Sequence, residues 1–162
     1  MSDEPTYGPG DGPPALPLSE ERKLALLGGT IHGVLATTKR DGLPHLTNVI
    51  YAFDPEQRVV RVSTMAGRLK VTHLRRDPRC VLHVSSDDRL AFAVAEGVAE
   101  LSPVTTTAGD EVGRELLRWD RAKGSQIPAE DEPAYLAQLV KDERLVIRIP
   151  VARMYGTAID VG

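Results

Sequence analysis

The chain has 162 residues and a mass of 17.6 kDa, enough for one domain with a real core and too little for two ordinary ones. A formal net charge of −3 and a sequence pI near 5.8 remove the basic surplus that non-specific nucleic-acid binding draws on, so DNA and RNA are not expected partners. The lone Cys80 excludes an internal disulfide and any Cys-x-x-Cys pair, and fits a reducing compartment. Met1-Ser2-Asp3-Glu4-Pro5 lacks the basic and apolar parts of a secretory signal, and the longest apolar run, residues 90–95, is far too short to cross a bilayer. The expectation is a cytoplasmic protein with no membrane partner. Arg outnumbers Lys by 15 to 5, a bias that fits a high-GC, actinobacterial source.

Residues 1–17 hold five Pro and three Gly and few apolar side chains, so they are expected to form a flexible tail, with one folded domain over 18–162. Ser19 caps a predicted helix through position 27, with Glu20 and Glu21 in its first turn and Gly28-Gly29 at its end. Strands are predicted over 32–39 and 44–53, flanking Arg40-Asp41-Gly42, whose Asp-Gly pair is a strong hairpin signal. A Val-rich strand follows over 58–64, then a helix over 67–76 stopped by Asp77-Pro78. Two further strands, 79–85 and 89–101, surround Ser86-Asp87-Asp88. Helical spacing of apolar residues returns over 110–121 and 132–141, and the last strand is predicted over 144–149, with Pro150 at an edge and a short extended piece near Met154. Antiparallel strands with a few interspersed helices predict a mainly β fold, a barrel or an α+β domain.

The most informative local feature is Ser63-Thr64-Met65-Ala66-Gly67-Arg68-Leu69-Lys70, where a strand ends in two hydroxyls and passes through glycine into a helix. A helix start offers free N–H groups and the positive end of its dipole, the hydroxyls can donate, and Arg68 and Lys70 add charge, so the segment can cradle a phosphate. Between positions 68 and 79 there are five basic residues and one acid, a local +4 in a chain of net −3. A solvated helix face is the other reading of the same residues. The strand over 89–101 carries a row of small residues, Ala91, Ala93, Ala95, Gly97 and Ala99, which would let a planar cofactor, a second subunit or a packed helix approach its backbone.

Other catalytic patterns are scarce. His32, His45, His73 and His83 show no metal-ligand spacing, so no metal site is expected, and no nucleophile elbow or nucleotide phosphate loop occurs. An enzyme whose cofactor carries the reactive chemistry needs positioning and electrostatics more than an acid-base triad.

Three ordered stretches carry a resemblance: Gly33-Val34-Leu35-Ala36-Thr37; Asp41-Gly42-Leu43-Pro44-His45-Leu46-Thr47-Asn48-Val49; and Arg68-Leu69-Lys70 running into Leu74-Arg75-Arg76-Asp77-Pro78-Arg79. With the close Ile149-Pro150-Val151-Ala152-Arg153-Met154-Tyr155-Gly156, the chain resembles the flavin/deazaflavin oxidoreductases of the pyridoxamine-phosphate-oxidase-like split-barrel superfamily, in particular their actinobacterial deazaflavin-dependent B branch. The resemblance implies a six-stranded antiparallel split β-barrel with flanking helices, a homodimer, and one cofactor in each of two crevices between subunits. That cofactor would be coenzyme F420, an 8-hydroxy-5-deazaflavin with a phosphate and an oligoglutamate tail, with FMN as the alternative.

Carried over by position, Leu46, Thr47, Asn48 and Val49 would line the ring and ribityl region. Ser63, Arg68 and Lys70 would hold the phosphate, with Thr64 and Leu69 as further cofactor-binding residues, and Leu90, Ala91, Phe92 and Ala93 would approach the ring from the other subunit. The implied activity is an F420H2-dependent reductase that delivers hydride to an electrophilic double bond of a small substrate, an enone, a quinone-like compound or a tetrapyrrole. No residue is identified as a proton donor. The alternatives are an FMN-dependent oxidoreductase on the same fold and a non-catalytic F420 carrier. Pyridoxal phosphate synthesis is not expected, because residues 44–53 contain neither the Arg nor the Lys of those oxidases and the C-terminus lacks their Trp-Arg and His-x-Arg motifs.

Overall fold

The computed structural model describes residues 10–159. Eight strands and four helices follow one another as β1 (Ala15–Pro17), α1 (Glu20–Gly28), β2 (His32–Thr38), β3 (Pro44–Asp54), β4 (Val59–Met65), α2 (Leu69–Arg76), β5 (Arg79–Ser85), β6 (Ala91–Val98), β7 (Glu100–Leu101), α3 (Glu111–Ala122), α4 (Glu132–Lys141) and β8 (Arg144–Ile159). The antiparallel ladder runs β8-β4-β3-β2-β5-β6, and β6 pairs back onto β8, which closes the six strands into a barrel. β1 and β7 add short pairings to β8.

Local chemistry explains most of these elements. Ser19 accepts the Arg22 N–H as the cap of α1, and Gly42 takes a positive φ in the hairpin between β2 and β3. Leu27 of α1 is fully buried, and its carbonyl accepts the Tyr51 hydroxyl at 2.5 Å, which ties the helix to β3. Alternating residues of the strands fill the interior with Leu35, Tyr51, Val60, Val62, Leu82, Val84, Ala93, Ala95, Leu145, Ile147 and Ile149. A second cluster under α3 and α4, including Val112, Leu116, Trp119, Leu136 and Leu139, meets the outer face of β8 at Val146.

Three expectations change. The last strand is one 16-residue element rather than two pieces, and Pro150 lies inside it, not at an edge. Proline is tolerated there because the strand changes neighbours at that point: residues up to Pro150 pair with β4, residues from Val151 pair with β6, and the Val151 N–H returns to the carbonyl of Arg58. The strand predicted over 89–101 divides into β6 and β7, leaving Leu90 in the preceding turn. Of the tail expected over 1–17, residues 1–9 lie outside the described residues, whereas Ala15–Pro17 are exposed but paired with residues 157–159 of β8. That pairing uses backbone groups, so it does not need the apolar side chains whose absence predicted a free tail.

Candidate functional site

The split in the barrel makes the site. β3 pairs with β4 only from Tyr51 to Asp54, while residues 44–50 of β3 stay with β2 and residues 63–65 of β4 stay with β8. Between the diverging strands lies a crevice of about 870 Å³, closed at one end by the start of α2 and walled by the end of α3, by α4 and by Arg144.

The strand registers decide which side chains reach it. Thr47 and Val49 pair with Leu35 and Gly33 and turn toward the barrel side, where both line the crevice. Leu46 and Asn48 point to the other face. Asn48 still lines the crevice at its rim, but Leu46 does not: it stands 63% exposed on the outer face of β3. Ser63 and Thr64 also diverge. Thr64 shares the inward face of Leu145 and is buried, whereas Ser63 shares the face of Val146 and accepts from Nη1 of Arg144 at 3.5 Å.

Arg68, Leu69 and Lys70 all line the same end. Arg68 occupies the N-cap position of α2 with no side-chain cap bond, so the first helical turn keeps unmet N–H groups. Among the described residues, neither Arg68 nor Lys70 has a carboxylate partner. Burial, and secondarily the Arg68 charge, lowers the Lys70 pKa, so this ammonium stands where an anion would relieve it. The other two cations of the crevice are engaged: Lys123 pairs with Asp120 at 2.7 Å and Arg144 with Asp142 at 3.6 Å.

Three buried side-chain atoms among the described residues lack a hydrogen-bond partner: His45 Nδ1, Thr47 Oγ1 and Arg144 Nε. All three belong to residues that line this crevice. Buried polar atoms are normally satisfied, so the concentration of three unpartnered ones at this place sets the crevice lining apart from the rest of the described residues.

The row of small residues has a structural use. Ala93 and Ala95 are buried in the barrel interior, and at Gly97 and Gly156 a Cβ would collide with the opposite strand's backbone. Ala93 fills the core, where β6 and β8 approach too closely for larger groups. Leu90, Ala91 and Phe92 lie outside this chain's own crevice, and Phe92 stacks on His83 with ring centroids 5.5 Å apart.

His45, Asp120, Lys123, Tyr135, Gln138 and Arg144 were not singled out as site residues by sequence. For His45 the only available signal was its place in Pro44-His45-Leu46-Thr47. The others come from segments that look like ordinary amphipathic helix and strand, and only the fold brings them to the crevice.

The family model described as pyridoxamine 5'-phosphate oxidase matches residues 20–157. The chain belongs to this family. Among solved structures, a conserved hypothetical protein from Mycobacterium tuberculosis is 26% identical, with a TM-score of 0.67 over 97% of this chain and 98% of that one. A structure named as an F420 reductase is 21% identical, with a TM-score of 0.59 over 80% of this chain and 93% of that one. A FAD-binding protein from Mesorhizobium loti is 20% identical, with a TM-score of 0.63 over 92% and 99% of the two chains. The last two show the shared fold alone. The expected six-stranded split barrel with flanking helices is thus the observed one. No helix among the described residues is long and apolar enough to cross a membrane.

Proposed function

We propose that this protein is an oxidoreductase that binds a flavin-type cofactor in the crevice between β3 and β4, and that the cofactor is the deazaflavin coenzyme F420. The carrying observation is that the unpaired cations Arg68 and Lys70 share one crevice with the three unsatisfied buried polar atoms. This fits an elongated ligand with an anion at one end and a hydrogen-bonding ring along the strands.

Arg68 and Lys70 hold the phosphate, with Ser63 as a further donor, Thr64 beside it and Leu69 covering the contact. Thr47, Asn48 and Val49 line the ring. When bound and reduced, the deazaflavin supplies hydride to an electrophilic double bond of a small organic acceptor, such as an enone, a quinone-like compound or a tetrapyrrole. The protein's own residues then need only hold the ring, exclude water and present the acceptor.

The reading includes a homodimer. Leu46 and Ile50 on β3 and Tyr155 on β8 are large apolar side chains left exposed, which contact with a second copy would cover. Leu90, Ala91 and Phe92 would then approach the partner's crevice.

Titration of the purified protein with F420 and with FMN, followed by steady-state oxidation of the reduced cofactor with a panel of electrophiles, tests this reading. Preferential binding of F420 with turnover supports it. Preference for FMN assigns the same site to a flavin enzyme, and binding without turnover makes the protein a carrier.

A further inference from the structure

Two histidines that sequence reading set aside meet at the α2 end of the crevice. Thr37 on β2 pairs in register with His45 on β3, and its hydroxyl is 3.0 Å from Nδ1 of His73 on α2. Thr37 and His73 are both buried, at 2% and 8% exposure. The His73 ring stands edge-on to His45, with centroids 4.9 Å apart and planes at 81°. His45 in turn lines the crevice, and its Nδ1 is buried without a partner. One turn before His73 on the same helix, Lys70 lines the crevice too.

We propose that His45 is a ligand-binding residue, donating a hydrogen bond from its imidazole to the anionic group that Arg68 and Lys70 attract, and that His73, anchored by Thr37, is the positioning residue that fixes its ring. The inference rests on the reading of the crevice as the site of an anion-bearing cofactor.

Burial first, then the charges of His45, Arg76 and Lys39, disfavour the charged form of His73. Arg76 is engaged by the Thr38 carbonyl and Lys39 by Asp41. Among the described residues no carboxylate pairs with either ring, so the acceptor for a His45 N–H in the crevice is the ligand's anionic group.

The test compares wild type with His45→Gln, using F420 and FMN as anionic probes and riboflavin as a probe without phosphate. For whichever phosphate-bearing probe the wild type binds, the substitution is expected to weaken binding about tenfold, the loss of one hydrogen bond to a charged group. Riboflavin affinity is expected to be equal in the two proteins. Ring 15N shifts of His45 in wild type give a readout independent of the variant's folding: addition of the phosphate-bearing probe should move them. Thr37→Val, which keeps the shape and removes the hydroxyl, should change the His45 ring shifts of the complex while binding survives. His45 ring shifts unchanged in Thr37→Val overturn the positioning role. Unchanged affinity in His45→Gln with an unmoved His45 resonance overturns the donor role and leaves the cofactor reading standing. Failure of wild type to bind either phosphate-bearing probe overturns both.

Discussion

Gly97 lies so close to Pro150 that a Cβ on the glycine would penetrate the proline's carbonyl oxygen and come within 2.7 Å of Cγ2 of Ile149. The contact sits at the bulge between Glu96 and Gly97, where β8 leaves β4 and joins β6. Gly156 repeats it further along, with a virtual Cβ against the Phe92 carbonyl and 3.0 Å from Cα of Ala93. Backbone cannot swing aside as a side chain can, so Gly97→Ala and Gly156→Ala should each cost about 1–3 kcal/mol. For a domain of this size that lowers Tm by about 2–4 °C per kcal/mol, measurable by calorimetry. Gly67→Ala, where a Cβ meets open space, should leave Tm unchanged.

Asp110 caps α3, the helix whose end walls the crevice. Burial raises its pKa, but the N–H groups of Gly113, Thr106 and Thr107 and the Thr105 hydroxyl bond to the carboxylate and bring the net value below the ordinary 3.8. A carboxyl with a depressed folded pKa stabilises the fold above its unfolded value, and that contribution is lost as pH falls through the folded one. Asp110→Ala should therefore cost about 0.5–2 kcal/mol at neutral pH, the usual worth of such a cap. The difference from wild type should shrink below pH 3.8, as read by urea denaturation across the acid range.

Cys80 is buried in β5, and burial pushes its thiol pKa up to about 12. The thiolate is the reactive form, so native protein should resist alkylating reagents at neutral pH and react with one equivalent only after unfolding. Rapid labelling of the native state would show that the barrel opens between β5 and β6.

Leu46 gives a test of the dimer that leaves the crevice alone, since it is 63% exposed and outside the crevice lining. Leu46→Asp should halve the mass measured by light scattering and weaken cofactor binding with it. A wild type that is monomeric while binding cofactor fully would remove the second subunit from the site.

The elements of the fold were legible because each announced itself locally: Ser19 as a cap, Asp41-Gly42 as a turn, Val-rich alternation in β4. What local pattern could not reveal is neighbour exchange. Pro150 looks like a strand end unless β6 is known to replace β4 beside it, and Ala15–Pro17 look like tail unless β8 is known to offer an edge. That Ser63, Arg68 and Lys70 come together could be read because they lie within eight positions of one another. Tyr135, Gln138 and Arg144 reach the same crevice through chain folding alone, and the outward turn of Leu46 depended on a register that a motif match does not contain.

The central claim is that Arg68 and Lys70 form the anion end of a cofactor site, and the dissociation constants of F420 and FMN for wild type, Arg68→Ala and Lys70→Ala at fixed ionic strength test it most directly. A hydrogen bond to a charged group contributes about 1.5–3 kcal/mol, so either substitution should weaken binding of the preferred cofactor roughly 10- to 100-fold. Tm should hardly move, since neither residue has a carboxylate partner among the described residues. Arg68→Lys should recover only part of the affinity, because an ammonium cannot reproduce the bidentate fork. Dissociation constants within about twofold of wild type in both alanine variants would contradict the assignment, since that is less than one such bond contributes.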